Sequence, residues 1–280
     1  MSTQDATTLR RGIELLVQLG SDAAVESGGL GVVQLATTIH QDKSQVSRTL
    51  QTLAKAGLVE RDPDTQAYRL GWLLYELAGR TGDRRLLATA PEVLAPLVDR
   101  FGERGHLSVL RGQEVLTIWT EVPTRPVVQA AGWVGRTTPA WCTSSGRALL
   151  ADHDVARLRL LFSDSDLDGA DRSAAGADAP ADLGQLAARV AEVRRRGYSV
   201  VEEEFEAGLV GVAAPVRSFT GQIVAAVNIS GPTFRLDQRI DEAARAVRAA
   251  AATASRLLGT AAQSVRTELS AGRAAGVAGG

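Results

Sequence analysis

Apolar residues repeat with helical spacing three times near the start of the chain. The repeats are Leu9, Ile13, Leu16 and Val17; Val32, Leu35, Ala36 and Ile39; and Val46, Leu50, Leu53 and Ala54. Each set covers one side of a helix, so the pattern predicts three short amphipathic helices. Asp42 is a suitable N-cap for the third helix, and Gly57 suits the left-handed residue that ends it. Three such helices in succession predict a helix-turn-helix.

Two short runs with strand character follow Gly57. They cover residues 58–61 and 67–70 and are separated by the turn-forming sequence Asp62-Pro63-Asp64-Thr65. Two short strands joined by such a turn predict a β-hairpin wing beside the third helix.

The polar side of the third helix has the residue types that contact double-stranded DNA. Lys, Ser, Gln and Arg reach phosphates and purine edges in the major groove, and arginines beside the wing turn reach the backbone or the minor groove. The predicted DNA contacts are Lys43, Ser44, Gln45, Ser47, Arg48, Thr49, Gln51, Arg61 and Arg69. The alternative is a small helical domain that binds other proteins.

The charge balance of residues 1–75 argues against tight DNA binding by one copy. Seven Lys and Arg residues stand against eight Asp and Glu residues in this range, and the only lysines of the chain are Lys43 and Lys55. Affinity for DNA grows with the number of phosphate contacts. We therefore expect a homodimer that presents two recognition helices to a palindromic operator.

The rest of the chain mixes helix and strand patterns. Strands are predicted at 106–111 and 114–121, as a hairpin around Gly112-Gln113, and at 199–203, 209–216 and 222–230. Helices are predicted at 72–80, 88–101, 144–150, 155–162, 183–196 and 236–257. The chain as a whole therefore predicts an α+β fold, with helices packed on an antiparallel sheet in its second part.

These elements predict a two-domain organisation. A winged helix-turn-helix DNA-binding domain covers residues 1–71, a linker helix 72–87 and the sheet-containing domain 88–262. We expect residues 263–280 to form a disordered tail. Residues 163–182, rich in Asp, Ala, Ser and Gly with little to bury, predict a mobile loop.

Composition restricts the class of protein. The 280 residues are 45% hydrophobic with a net charge of −1, which is enough for two globular domains. No apolar run has the length of a transmembrane helix and no signal core is present at the N-terminus, so we expect a cytoplasmic protein without a membrane partner. A single cysteine excludes an internal disulfide, and the scattered His40, His106 and His153 predict neither a metal site nor a cofactor.

The chain resembles the IclR family of bacterial transcriptional regulators over nearly its whole length. The resemblance rests on the winged helix with 47–50 and 57–59, followed by 143–150, 196–198, 203–204, 208–216 and 228–232 in a specific order and spacing. It implies a GAF-like C-terminal domain that binds a small effector. It also implies homodimers formed through the DNA-binding domains and homotetramers formed through the effector domains.

The sequence Cys142-Thr143-Ser144-Ser145-Gly146 stands just before a predicted helix. Hydroxyl groups and unpaired backbone N–H groups at that position favour a carboxylate or another oxyanion. The equally good alternative is that Thr143 or Ser144 only caps the helix.

The resemblance also implies which residues line the effector pocket. These are Ser144, Ser145, Val201, Glu202, Leu209, Gly211, Asn228 and Ser230, to which Trp133 and Trp141 are added as flat apolar walls. Members that bind small oxo-acids carry Asp near position 201 and Cys at position 211, and this chain has neither. Gly211 leaves room, so an organic acid that is aromatic or larger is the expected effector.

The sequence as a whole predicts a transcriptional regulator, most simply a repressor, and not an enzyme. Cys142 offers two alternatives, because a thiol at a helix start can have a lowered pKa and act as a redox sensor or a nucleophile. A hydrolase would also need a base with an orienting acid, and neither His106 nor His153 is placed by sequence spacing to be that base. A buried, inert cysteine is the default.

Overall fold

The computed structural model describes the backbone of residues 3–78, 84–123, 133–163, 166–167, 176 and 178–277, and their side chains except at 3–7, 78 and 260–277. The chain divides into two compact units, residues 1–84 and 85–280. The predicted linker helix, 72–87, spans this division, and its residues 79–83 lie outside the described part.

The first unit is helical with a short hairpin. Its elements are α1 (Thr3–Leu19), α2 (Asp22–Glu26), α3 (Val32–Thr38), α4 (Lys43–Lys55), β1 (Val59–Arg61), β2 (Tyr68–Leu70) and α5 (Trp72–Ala78). Leu15, Leu35, Val46 and Leu50 are fully buried and form its core. The stripes of α3 and α4 therefore point inward as predicted, and these two helices form the helix-turn-helix. The stripe predicted for α1 is wrong in its direction, because Leu9, Ile13 and Val17 are exposed and Leu15 faces the core instead. The short helix α2, capped by Ser21, was not predicted.

The wing is an antiparallel pair that closes against the end of α4. Val59 pairs with Leu70 and Arg61 with Tyr68. Gly57 has a φ of +76°, as its C-terminal position predicts. A Cβ added to Gly71 would lie 2.3 Å from the Gly57 carbonyl oxygen, so only glycine allows this approach of the two backbone segments.

The second unit is built on one six-stranded sheet. Its elements are α6 (Arg84–Phe101), β3 (Arg104–Arg111), β4 (Glu114–Glu121), β5 (Thr137–Pro139), α7 (Ser144–Leu149), α8 (Val155–Leu161), α9 (Leu183–Arg196), β6 (Ser199–Glu202), β7 (Leu209–Arg217), β8 (Ile223–Pro232), α10 (Thr233–Leu236), a 3-10 turn (Asp237–Arg239) and α11 (Ile240–Val277). The strand order is β5-β4-β3-β8-β7-β6, and every pair is antiparallel. The predicted α+β fold is confirmed.

The two faces of this sheet differ in character. One face is mainly apolar, with Leu107, Val212 and Ile229 packed against α6 and α11. The other face, beneath α7, carries polar residues that are nonetheless buried: His106, Ser108, Thr117, Ser199 and Asn228. Burying polar groups is unfavourable unless they find partners. This polar, buried area therefore indicates a binding site.

Two segments differ from the sequence-based expectations. The final helix starts at Ile240 and continues to Val277, so most of the expected tail, 263–280, falls on helical backbone. Most of the expected mobile loop, 163–182, lies outside the described residues, but Leu167 and Ala179 are buried against Leu158 and Leu186 in the core under α8 and α9. That segment therefore has more to bury than its composition indicates.

None of the helices in the described ranges has both the length and the apolar character needed to cross a lipid bilayer.

Candidate DNA-binding surface and ligand cavity

Helix α4 is half buried and half exposed. Val46 and Leu50 are fully buried, while Lys43, Ser44, Gln45, Arg48 and Gln51 are exposed. The Asp42 carboxylate accepts hydrogen bonds from the backbone N–H groups of Ser44 (2.9 Å) and Gln45 (3.3 Å), which fixes the start of the helix. The hydrogen bond from the Ser44 hydroxyl, with those from the backbone, lowers the pKa of Asp42. The exposed side is thus a rigid polar surface.

Two of the predicted DNA contacts on α4 are less accessible than the rest. Thr49 is buried and its hydroxyl donates to the Gln45 carbonyl oxygen at 3.0 Å, because position 49 shares the inward side of the helix with Val46 and Leu50. Ser47 is half-buried. Ser47 and Thr49 were both predicted from residue type alone. The position of Thr49 on the helix turns its side chain away from solvent.

The two wing arginines are exposed and already have intramolecular contacts. Arg61 lies over the Tyr68 ring, with the guanidinium carbon 5.6 Å from the ring centroid. Arg69 pairs with Glu60 across the hairpin at 3.0 Å. A phosphate that engages Arg69 therefore competes with a carboxylate.

An exposed apolar stripe runs along α1. Leu9, Ile13 and Val17 are 62%, 53% and 65% exposed and lie four residues apart, on the side opposite the buried Leu15. On α5, Trp72 and Tyr75 are also exposed, with ring centroids 6.0 Å apart in an edge-on arrangement. Contiguous exposed apolar side chains of this size are typical of protein interfaces.

A cavity of about 60 Å³ lies between the polar sheet face and α7. Hydroxyl, amide and aromatic side chains supply most of its wall. The lining residues are His106, Ser108, Val115, Thr117, Trp133, Thr138, Thr143, Ser144, Ser145, Val201, Phe205, Leu209, Gly211, Asn228 and Ser230. None of these described lining residues carries a carboxylate, an ammonium or a guanidinium.

The cavity brings together most of the residues named for the effector pocket, with two outside it. Glu202 is exposed, because strand alternation turns it away from the side to which its neighbour Val201 points. Trp141 is 4% exposed and packs in the apolar core under α7. Sequence reasoning missed His106, Ser108, Thr117, Thr138 and Phe205. Alternation of polar residues along β3, at positions 106 and 108, was a usable signal.

At the α7 end of the cavity, capping and lining are divided between neighbouring residues. The Thr143 hydroxyl donates to the Pro139 carbonyl oxygen (2.8 Å) and accepts from the Gly146 N–H (3.3 Å), so Thr143 is the cap. Ser144 and Ser145 are 4% and 5% exposed, and their hydroxyls have no hydrogen-bond partner in the part of the chain described. These two hydroxyls are available to a ligand.

Two glycines around α7 lie close to other parts of the chain. A Cβ on Gly146 would lie 2.1 Å from the Ala140 carbonyl oxygen, and a Cβ on Gly211 would lie 2.7 Å from the Ser144 hydroxyl oxygen. The space at Gly211 is therefore occupied by Ser144, which corrects the expectation that it leaves room for a ligand.

At the sheet end of the cavity, His106 and Asn228 are neighbours in register on β3 and β8. His106 Nδ1 lies 3.0 Å from the Thr120 hydroxyl, and the His106 ring lies 5.5 Å from the Trp133 ring, centroid to centroid. Burial, together with the nearby charge of Arg104, lowers the pKa of His106 to about 4. This histidine is neutral at physiological pH.

Behind the cavity wall, Arg147 and Glu204 form a buried ion pair. Their side chains are 2% and 6% exposed. The Arg147 guanidinium donates to both carboxylate oxygens of Glu204, one of them at 2.8 Å, and to the Trp141 carbonyl oxygen at 3.2 Å. Arg147 follows Ser144 and Ser145 on α7, and Glu204 precedes Phe205, so the pair joins two sides of the cavity.

Cys142 is buried at 1% exposure. Burial raises the pKa of its thiol to about 12. A thiolate is therefore strongly disfavoured at neutral pH, contrary to the lowered pKa that a redox sensor or nucleophile requires. Elsewhere in the described ranges, no group of three or more His, Cys, Asp or Glu side chains is positioned to hold a metal ion.

The helix-turn-helix with its wing, together with the cavity-containing domain, defines a transcriptional regulator with separate DNA-binding and effector domains. Family models agree with this division: the IclR helix-turn-helix domain matches residues 8–63, and the C-terminal domain of the bacterial transcriptional regulator IclR matches residues 80–256. The chain belongs to the IclR family of bacterial transcriptional regulators.

Individual relatives align over most of the chain. The glycerol operon regulatory protein of Streptomyces griseus is 30% identical over 262 residues, covering 90% of this chain and 98% of that protein. The Pca regulon regulatory protein of Pseudomonas putida is 30% identical over 201 residues, covering 72% and 67%. The structure of an IclR homolog from Microbacterium hydrocarbonoxydans complexed with 4-hydroxybenzoate superposes with a TM-score of 0.76 at 25% identity, covering 90% of this chain and 98% of that chain.

Proposed function

We propose that this regulator is a cytoplasmic repressor that binds a palindromic operator as a dimer and is controlled by an organic acid, no larger than one substituted ring, bound in the cavity. The observation that carries the proposal is the pairing of an exposed polar α4 face with a buried cavity lined by hydroxyl groups and by Asn228, whose Oδ1 atom has no hydrogen-bond partner among the described residues.

The reading surface consists of the α4 side chains that are both polar and exposed. Lys43, Ser44, Gln45, Arg48 and Gln51 have this property, and Arg48 has the fork geometry that pairs with guanine. Ser47, Arg61 and Arg69 add contacts at the margin of the surface and on the wing. Thr49 supports the helix from within.

The charge balance of the first unit and the exposed stripe of α1 support the proposed dimer. With nearly balanced charges in residues 1–75, one copy neutralises few phosphates, and a second copy doubles that number. The stripe Leu9, Ile13 and Val17 supplies an apolar surface for the contact between copies. A further association of effector domains into tetramers is part of the proposal and rests on family resemblance alone.

The effector class follows from the cavity lining. The Ser144 and Ser145 hydroxyls suit an acid group, and Trp133 and Phe205 suit a flat apolar body. The solved relative with bound 4-hydroxybenzoate supports an aromatic acid. Since Cys142 is buried with a raised pKa, a thiol-based sensor or enzyme loses its support, and binding without chemistry is the proposed role of this domain.

Control requires that the effector bind differently to the DNA-binding and the released states of the protein. A tenfold change in operator affinity corresponds to about 1.4 kcal/mol of coupling between the two sites. We propose that the residues 72–87 carry this coupling.

Selection of genomic fragments by the purified full-length protein, at near-physiological salt, tests the DNA-binding part. Enrichment of one or a few palindromic sites is expected, and Arg48→Ala should abolish their retention while the fold persists. Arg159→Ala, a matched change at an exposed arginine on α8, should leave retention unchanged. Undiminished operator binding by Arg48→Ala would show that the reading surface is wrong, and no retention at low salt would reject the DNA-binding proposal.

A further inference from the structure

The sheet end of the cavity holds a polar group without a partner. Asn228 is 8% exposed, and its Oδ1 atom is buried with no hydrogen bond to any described residue. Leaving a buried acceptor unpaired costs free energy, and native structures pair nearly all such groups. Because Asn228 lines the cavity, its Oδ1 atom is placed to accept a hydrogen bond from a group bound there.

His106 stands next to Asn228 and sets the charge of this end. The two residues are directly opposite each other on antiparallel strands, so their side chains leave the same face of the sheet about 5 Å apart. His106 is 5% exposed and uses Nδ1 for Thr120, while its Nε2 has no partner in the described chain. Burial keeps the ring neutral, as its pKa of about 4 shows.

Charged ligand groups do not fit at this end. A carboxylate only accepts hydrogen bonds, so it would leave Asn228 Oδ1 unpaired and face a neutral imidazole. An ammonium would donate to Oδ1, but it would be buried without a carboxylate in the described lining. A hydroxyl both donates and accepts, so it can donate its proton to Asn228 Oδ1 while a lone pair accepts from the Nε2–H tautomer of His106.

We propose that His106 and Asn228 form a hydroxyl-recognition end of the cavity, which selects effectors that carry an uncharged hydroxyl opposite their acid group. The inference rests on the proposed function, in which the acid group lies at Ser144 and Ser145.

The fold sets the distance between the two ends. Ser144 packs against Gly211, which pairs with Ser230, and Ser230 is two residues along β8 from Asn228. Two residues along a strand span about 7 Å. This is close to the length of one six-membered ring with its substituents at opposite positions, and it favours such acids over those in which the hydroxyl is adjacent to the carboxylate.

Calorimetric titration of the purified whole protein with paired acids tests the inference. The probes are 4-hydroxybenzoate with benzoate and 6-hydroxyhexanoate with hexanoate, each pair differing by the hydroxyl alone. The wild type should bind at least one hydroxylated member about 10- to 100-fold more tightly than its partner, since the partner leaves Asn228 unpaired. In Asn228→Leu this affinity ratio should fall to near one. In His106→Gln it should fall by a smaller factor.

Ser199→Ala is the matched control. Ser199 is a buried polar residue on the same face of the sheet with an unpaired hydroxyl, but it does not line the cavity. Its variant removes a comparable group and should keep the wild-type ratio, which separates a ligand contact from a general effect of buried polarity.

The outcomes distinguish this inference from the function on which it rests. Equal binding of both members of each pair by the wild type, or an undiminished ratio in Asn228→Leu, would overturn the hydroxyl-recognition end while leaving an acid-binding cavity in place. Failure of all four acids to bind would overturn the acid effector itself, and this inference with it.

Discussion

Replacing Arg147 by methionine breaks the buried ion pair behind the cavity and leaves the Glu204 carboxylate without its partner. Glu204 is 6% exposed on its side chain, and the guanidinium supplies hydrogen bonds to both of its oxygens. Removing one member of a buried pair costs about 3–5 kcal/mol, because the remaining charge is not solvated. We expect Arg147→Met to lower the free energy of unfolding of the effector domain by that amount.

Urea unfolding of the full-length protein, followed by circular dichroism, measures the loss. For a domain of this size each kcal/mol shifts Tm by roughly 2–4 °C, so calorimetry should show a fall of about 6–20 °C in the corresponding transition. Arg217→Met is the matched control. It breaks the Arg217–Asp152 pair, whose side chains are 41% and 43% exposed, and should cost about 1 kcal/mol or less.

A second variant separates charge burial from packing. Replacing both partners, Arg147→Met with Glu204→Leu, removes the unpaired charge and should recover most of the stability. If Arg147→Met lost no more stability than Arg217→Met, the premise that Glu204 is desolvated would be wrong. If the double variant were as unstable as the single one, packing and not charge would account for the loss.

Three further predictions concern the effector domain. Gly211→Ala should weaken binding of an acid effector about tenfold or more in calorimetric titration while the domain stays folded, because its Cβ would displace Ser144; unchanged affinity would contradict that contact. His106 has a folded pKa of about 4 against 6.5 in the unfolded chain, so its contribution to stability is complete above pH 6.5 and is lost as the pH falls towards 4. Urea unfolding should therefore show that the free energy of unfolding falls less between pH 7.5 and pH 4.5 in His106→Gln than in the wild type, by up to about 3 kcal/mol. Equal falls in the two proteins would refute the assignment of a neutral His106. Cys142→Ser should leave operator release by peroxide and by effector unchanged, and loss of a peroxide response would restore the redox alternative.

Much of the fold follows from local signals in the sequence. The stripe containing Val46 and Leu50 identified α4, and the alternation around Gly112-Gln113 identified the hairpin of β3 and β4, which pair as predicted. Such signals depend on neighbours within a few residues, where helix and strand geometry fix the direction of each side chain.

The cavity was harder to predict from the sequence, because the residues that meet around it are far apart in the chain. Arg147 and Glu204 are separated by 57 positions, and no local pattern indicates that they meet. The family resemblance led us to predict that both Val201 and Glu202 line the pocket. Neighbouring residues on a strand point to opposite sides, so only one of them can do so. Capping by Thr143 and not by Ser144 depends on the path of the loop from Pro139, which sequence spacing does not determine.

The close approach at Gly146 has a consequence for how this fold changes its ligand over evolutionary time. Any side chain at this position meets the Ala140 backbone, so the start of α7 tolerates little variation in shape. The side chains of His106, Ser108 and Thr117, in contrast, end in the cavity and can be exchanged without moving the backbone. New effector specificities should therefore arise by substitution on the strands, with the helix retained as a common frame.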